Sequence, residues 1–85
     1  MSYQVIWSEK SKKSLKALDK TTSSRIVAKV ESIKNDPFVF VKHLEGVKLY
    51  SLRVGDYRVI LDIENQKMVI FVVKAGHRSK VYDDI

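Results

Sequence analysis

Cysteine is absent from this chain of 85 residues, and with it several kinds of chemistry. There is no disulfide scaffold, no cysteine-ligated zinc or iron–sulfur cluster, and no thiol nucleophile. The longest apolar run, Met68 to Val73, is far shorter than the ~20 residues that span a bilayer. The first residues place apolar side chains before lysines, the reverse of a secretory signal. We therefore expect one cytoplasmic domain, residues 1–85.

Motifs of the common metal and nucleotide enzymes are missing as well. The three glycines form no phosphate-binding loop, G-x-S-x-G does not occur, and the two histidines lack metal-ligand spacing. The acidic residues form no obvious two-metal cluster. We expect no cofactor, no metal site and no metal-assisted hydrolysis.

Positive charge is what the sequence has in excess. Its 16 Lys+Arg against 10 Asp+Glu give a formal charge of +6, which favours polyanionic partners such as nucleic acid, an anionic membrane surface or an acidic protein. Most lysines lie in the N-terminal half, whereas three of the four arginines lie in the C-terminal half.

The N-terminal half predicts a strand and a helical hairpin. Alternation around Tyr3 to Trp7 indicates a short strand, and Ser8 is a candidate N-cap for a first helix. The hydroxyls of Thr21 to Ser24 are expected to form a turn and a second N-cap. The second helix carries an apolar face, and Asn35-Asp36-Pro37 ends it. The members of that face are Ile26, Val27, Val30 and Ile33.

The C-terminal half predicts a three-stranded antiparallel meander. After an irregular segment, Phe38 to Lys48, the period changes to two over Leu49 to Val54, Tyr57 to Ile63 and Lys67 to Ala75. The polar tail, Gly76 to Ile85, is expected to form a final turn of helix. The fold class is α+β: an N-terminal strand, a helical hairpin and a three-stranded meander.

Two arginines are expected to meet on the sheet face that the helices leave open. Arg53 and Arg58 flank the Gly55-Asp56 turn on the same face of their strands, and guanidinium groups bind phosphate through a planar, bidentate fork. The alternative is that these arginines pair with Asp56 and Asp62. The pattern alone leaves both open.

Two residues of the tail are further candidates. His77 can transfer protons near neutral pH, although a histidine in a tail is more often only solvated. Tyr82 can stack on a nucleobase, or it can anchor the tail to the core.

Two stretches together resemble the toxins of the RelE/ParE superfamily. The first is Leu44-Glu45-Gly46 followed by L-Y-S-L-R-V-G-D-Y-R-V-I at 49–60, and the second is V-K-A-G-H-R-S-K-V-Y at 73–82. The combination of R-V-G-D-Y-R-V with G-H-R-x-x-V-Y is specific. The resemblance covers nearly the whole chain, and the predicted element order is that of the RelE-like microbial ribonuclease fold.

The resemblance implies the toxin of a toxin–antitoxin pair, held in a hetero-oligomer by a RelB-like protein antitoxin. RelE-type members cleave mRNA in the ribosomal A site, whereas ParE-type members inhibit DNA gyrase. The residues that match the RelE type favour a ribosome-dependent, metal-independent endoribonuclease. Two other hypotheses stay open: a ParE-like gyrase inhibitor without nuclease activity, and a non-catalytic basic RNA-binding module.

On the nuclease reading, Arg58 and Arg78 stabilise the phosphate in the transition state, and Arg53 holds the scissile phosphate or the leaving oxygen. Tyr82 stacks on the base, and His77 is the reserve candidate for proton transfer. Ser51 is a departure, because some RelE-type toxins have a lysine there that is credited with a catalytic role. The lysines expected to bind RNA, or else to form a solvated surface, are Lys10, Lys12, Lys13, Lys16 and Lys48.

Overall fold

Ser8 joins the first strand to the first helix and to a neighbouring strand of the sheet. In the computed structural model, which describes residues 2–83, strand β1 is Gln4–Trp7 and helix α1 is Glu9–Lys16. The Ser8 hydroxyl accepts a hydrogen bond from the backbone N–H of Ser11 (3.0 Å) and donates one to the carbonyl of Val73 (2.8 Å). The predicted N-cap is confirmed, and it also ties α1 to the sheet.

The second helix, α2, is Lys20–Ser32 and completes the predicted hairpin. Its N-cap is Asp19 rather than one of the hydroxyls of Thr21 to Ser24, so that prediction was wrong. Those hydroxyl residues lie inside the helix, where the Ser23 hydroxyl donates to the carbonyl of Leu15 (2.6 Å) and so links the two helices. On the predicted apolar face Ile26, Val30 and Ile33 are fully buried, whereas Val27 is 37% exposed.

Five strands form one mixed sheet, with the spatial order β1-β5-β4-β3-β2. The predicted meander is confirmed as β3, β4 and β5, and β1 pairs with β5 in parallel. The segment predicted to be irregular contains a short 3₁₀ helix, Pro37–Val39, and an edge strand that pairs with β3. The strands after β1 are β2 Val41–His43, β3 Tyr50–Val54, β4 Tyr57–Glu64 and β5 Val69–His77.

The helices cover one face of the sheet and enclose the core there. Leu52, Val59, Leu61 and Val72 point toward α2 and are at most 1% exposed. On the opposite face, which we call the open face, Ile60 is fully buried as well. Part of the chain other than the helices must therefore cover the middle of the open face.

A bulge at Val73 decides which β5 residues reach the open face. Leu61 pairs with Val72 and Ile60 pairs with Lys74, so Val73 has no partner on β4. The extra residue reverses the alternation of β5 from that point onward. As a result Lys74 and Gly76 share the open face with Ile60 and Arg58, whereas His77 shares the helix face with Tyr57.

The tail folds back over the open face. From Arg78 to Asp83 the chain makes hydrogen-bonded turns, in which the Val81 N–H donates to the carbonyl of His77 (3.0 Å). Val81 is 4% exposed and lies over Gly76. Of the predicted domain and tail, Met1, Asp84 and Ile85 lie outside the described residues. Within residues 2–83, no helix is long and apolar enough to cross a membrane.

Candidate functional site

A cleft of about 700 Å³ lies on the open face, between the β2 edge of the sheet and the tail. Residues 39–45 form one wall, and Arg78 and Tyr82 form the opposite wall. The β3–β4 hairpin supplies Ser51, Arg53 and Arg58 between them. The cleft therefore contains four of the five residues predicted to be catalytic, namely Arg53, Arg58, Arg78 and Tyr82.

Arg53 and Arg58 lie directly opposite each other on β3 and β4, as predicted. Their side chains share the open face, and one terminal nitrogen of Arg58 donates to the backbone carbonyls of Gly55 (3.0 Å) and Tyr57 (2.9 Å). These bonds hold one terminal nitrogen of the guanidinium group in place, and because both acceptors are uncharged carbonyls they do not neutralise the cation. Two cations held side by side repel each other, and an anion between them would relieve that repulsion.

The predicted alternative, in which aspartates pair with these arginines, is not what the structure shows. Within residues 2–83 the only ion pairs described are Lys12–Glu9 and Lys34–Glu31, both on helix surfaces. In that same range no carboxylate lies within 4.0 Å of the guanidinium groups of Arg53, Arg58 or Arg78. The three arginines keep their charge available for a ligand.

The docked tail places Arg78 and Tyr82 at the cleft. The backbone N–H of Arg78 donates to the carbonyl of Asp56 (2.9 Å), which ties the start of the tail to the β3–β4 turn. The Tyr82 hydroxyl lies 2.9 Å from the hydroxyl of Ser51, while 39% of the Tyr82 surface stays exposed. Tyr82 is thus both an anchor and an accessible ring, which the sequence had left as alternatives.

Lys42 adds a fourth cation that sequence reasoning missed. It lies on β2 opposite Ser51, and both side chains belong to the open face. Lys42 is exposed and lines the cleft, where Glu45 is the one lining carboxylate among the described residues. No signal in the sequence pointed to Lys42, because β2 has three residues and shows no clear alternation.

His77 lies away from the cleft. Its ring packs edge-on against Tyr57, with 5.6 Å between the ring centroids, on the helix face of the sheet. Its Nδ1 accepts a hydrogen bond from the backbone N–H of Ser79 (3.1 Å), which assigns the acceptor role to that nitrogen. The structure does not bring His77 together with the arginines.

The five predicted RNA-binding lysines also lie outside the cleft. Four belong to α1, which packs against β5 on the helix face. Lys12 pairs with Glu9 (3.5 Å) on that exposed surface. Lys48 is exposed in the loop before β3. The four lysines of α1 therefore lie on the helix side of the sheet, apart from the cleft.

Chemically, the cleft suits an anionic ligand that also carries a planar group. Guanidinium groups bind phosphate oxygens in a bidentate manner, and an exposed tyrosine offers a stacking face. A nucleotide has both features.

Comparison with known proteins identifies relatives over nearly the full length. The family model described as ParE toxin of type II toxin–antitoxin system, parDE, matches residues 5–82. The chain is 26% identical over 89 aligned positions to the mRNA interferase toxin RelE of Escherichia coli strain K12, covering 99% of this chain and 94% of that protein.

Solved structures agree with this result. The RelE–RelB complex of Pyrococcus horikoshii contains a chain that is 31% identical, with a TM-score of 0.78 and coverage of 94% of this chain and 99% of that one. A chain of the RelBE2 toxin–antitoxin complex of Mycobacterium tuberculosis has a TM-score of 0.85 at 21% identity, covering 92% of this chain and 100% of that one. The second likeness concerns the fold alone.

Proposed function

The chain belongs to the ParE toxin family of type II toxin–antitoxin systems, within the RelE/ParE superfamily, and from this premise we propose that it is a ribosome-dependent endoribonuclease that cleaves mRNA in the A site without a metal. The observation that carries the proposal is the cleft itself. Three arginines without carboxylate partners in the described chain converge there with an exposed tyrosine. The curated relative from Escherichia coli is named an mRNA interferase, which supports the same activity.

The reaction that fits the cleft is internal transfer of the phosphoryl group. The 2′-oxygen of the ribose forms a bond to phosphorus, its proton is removed, and the bond from phosphorus to the 5′-oxygen breaks. A proton moves to the 5′-oxygen, so that the products are a 2′,3′-cyclic phosphate and a free 5′-hydroxyl. The transition state carries extra negative charge on the non-bridging oxygens.

The arginines stabilise that charge. Arg58 and Arg78 face the phosphate from the sheet and from the tail, and Arg53 lies beside Arg58 to hold the scissile phosphate or the leaving oxygen. Tyr82 stacks on the base and keeps the nucleotide splayed, so that the 2′-oxygen is in line with the leaving oxygen.

Proton transfer needs another group, because arginine stays protonated. Lys42 takes this role in the proposal, since it extends from the same face as the arginines and lines the same cleft. It lies across from Ser51, the position where the sequence departs from some RelE-type toxins. His77 ranks below Lys42, because its ring lies against Tyr57 on the other face.

The partners follow from the same family membership. Relatives have been crystallised in RelB–RelE complexes, and we propose that a cognate protein antitoxin inhibits this chain in a hetero-oligomer in the cytoplasm. The antitoxin binds this chain either over the lysine-rich helical hairpin or on the open face, where it displaces the tail. An acidic helical segment suits the lysine-rich hairpin electrostatically.

The test is cleavage of mRNA in a reconstituted translation mixture, mapped by primer extension, for the wild type and for Arg58→Ala. Lys67→Ala, which removes one charge from the exposed β4–β5 loop, is the matched control. Cuts in A-site codons that require ribosomes, persist with Lys67→Ala and disappear with Arg58→Ala would support the proposal.

The match to the ParE family favours a second candidate, inhibition of DNA gyrase. If expression of the protein arrests growth without any mRNA cuts, and the purified protein inhibits DNA supercoiling by gyrase, then gyrase inhibition is the activity and the nuclease proposal is wrong. If the protein cuts naked RNA as fast as ribosome-bound mRNA, the ribosome dependence is wrong while the nuclease stands.

A further inference from the structure

A second basic groove lies around the edge of the sheet from the cleft. It has a volume of about 480 Å³ and lies between α2 and the end of β3. Arg25, Lys29 and Arg53 line it together with Ala28, Val54 and Gly55. Its lining within the described chain is therefore cationic and apolar, without any acidic side chain.

No cation of this groove is neutralised by a carboxylate of residues 2–83. Over residues 2–83 neither Arg25 nor Arg53 has a carboxylate within 4.0 Å, and Lys29 lies over the ring of Phe40 with its ammonium 5.4 Å from the ring centroid. Arg25 also fits closely against the β3–β4 turn. A Cβ added at Gly55 would lie 3.2 Å from one terminal nitrogen of Arg25.

The groove and the cleft are continuous. Arg53 lines both of them, and Phe40, which is 49% exposed, lines the cleft while it contacts Lys29 of the groove. The surface thus alternates cations and aromatic rings from Tyr82 around the sheet edge to Arg25. Such alternation is the general pattern of surfaces that bind single-stranded nucleic acid, where cations follow the backbone and rings stack on bases.

From this continuity we infer that Arg25 and Lys29, together with Arg53, bind a second phosphodiester of the RNA strand that is cleaved in the cleft. The inference rests on the proposed function for the identity of the strand. The RNA passes from the cleft over Phe40, which stacks on a neighbouring base, and its backbone continues along α2. An acidic protein segment could also pair with these cations, but its carboxylates would not stack on the exposed ring of Phe40 between the two sites.

The experiment compares the wild type with Arg25→Ala/Lys29→Ala, using fluorescently labelled 2′-O-methyl RNA that cannot be cleaved. Oligomers of two and of six nucleotides are titrated at several salt concentrations. The matched control is Lys20→Ala/Lys67→Ala, which removes two charges at exposed positions that line neither the cleft nor the groove.

We expect the wild type and the control to bind the longer oligomer more tightly than the dinucleotide. Arg25→Ala/Lys29→Ala should bind the longer oligomer roughly ten-fold more weakly while binding the dinucleotide as before. The slope of log K against log salt for the longer oligomer should fall in magnitude by about 0.7 for one lost phosphate contact to a single strand.

Unchanged binding of the longer oligomer by Arg25→Ala/Lys29→Ala would overturn the inference. If that variant instead loses binding to a poly-L-glutamate peptide, the groove serves an acidic protein. The proposed function is tested separately by the ribosomal cleavage assay. If the wild type fails to cut mRNA, but binds the longer oligomer more tightly and shows the expected salt dependence, the second phosphate site stands and only the nuclease proposal is wrong.

Discussion

The hydroxyl of Ser51 and the hydroxyl of Tyr82 lie 2.9 Å apart, across 31 positions of the chain. Ser51 is 7% exposed on β3, whereas Tyr82 is 39% exposed on the tail. The tyrosine ring is therefore fixed at its polar end and open on its face. Ser51 therefore positions the Tyr82 ring, which we propose stacks on a base of the RNA.

Removing either hydroxyl should loosen Tyr82 without removing its ring. We expect Ser51→Ala and Tyr82→Phe each to lower the free energy of unfolding by about 1 kcal/mol and to slow mRNA cleavage a few-fold. Tyr82→Ala also loses the stacking face and should lower kcat/KM by roughly 5- to 100-fold. Urea unfolding and single-turnover cleavage measure the two effects.

The double variant Ser51→Ala/Tyr82→Phe provides the control. If the two hydroxyls act as a pair, the second substitution costs little once the first is made, and the cycle shows a coupling of about 0.5–1.5 kcal/mol. Strictly additive effects would show that the pair does not position the ring.

Arg58→Ala should reduce cleavage far more than it reduces stability. Its guanidinium group faces the cleft beside Arg53, so its loss should cost on the order of 10²–10³-fold in rate. Its bonds to the carbonyls of Gly55 and Tyr57 are partly exposed, and we expect the unfolding free energy to fall by about 1 kcal/mol or less. A loss of rate that simply follows the loss of folded protein in circular dichroism would contradict a role in the chemistry.

Lys42 can be tested by moving the ammonium group to the neighbouring strand. Lys42→Ala should lower the rate by roughly 10²-fold or more if it transfers a proton. Because Lys42 and Ser51 face each other on the open face, Lys42→Ala/Ser51→Lys should recover part of that rate. The double variant also loses the Ser51–Tyr82 contact, so full recovery is not expected.

Lys42→Arg separates charge from proton transfer. Arginine keeps the positive charge but stays protonated, so a proton-transfer role predicts that Lys42→Arg is about as slow as Lys42→Ala. A rate close to that of the wild type for Lys42→Arg would make Lys42 an electrostatic contact only.

The packing of a helical hairpin on one face of a sheet, and the pairing of Arg53 with Arg58, could both be predicted from the sequence. Both depend on local periodicity and on the short Gly55-Asp56 turn, which fixes the register of β3 against β4. The positions of Arg78 and Tyr82 at the cleft were expected only from the family resemblance. Their physical cause, the tail that docks through Val81 over Gly76, is not visible in any local pattern.

The placement of His77 and Lys42 could not be predicted for two different reasons. The bulge at Val73 reverses the alternation of β5 and turns His77 to the helix face, and the hydrogen bond from Ser8 to the Val73 carbonyl connects residues far apart in the chain. Lys42 joins the cleft only through pairing of a three-residue edge strand with β3. Both features are long-range and leave no periodic signal.

Val81 holds the tail on the open face. A substitution that leaves a small cavity at Val81 should therefore also weaken substrate binding in the cleft, although Val81 does not line the cleft. Val81 is 4% exposed and lies within 3.6 Å of the position that a Cβ of Gly76 would take. Val81→Ala should lower the free energy of unfolding by about 1–2 kcal/mol, as the loss of two buried methyl groups requires. Since Arg78 and Tyr82 flank Val81, cleavage should fall in addition, and it should do so through KM more than through the chemical step. Val47→Ala, at an exposed position that lines neither the cleft nor the groove, is the matched control and should leave KM unchanged and stability within about 0.5 kcal/mol. If Val81→Ala destabilises the protein but leaves KM unchanged, the tail does not need Val81 to present Arg78 and Tyr82, and the Ser51–Tyr82 contact is sufficient to hold it.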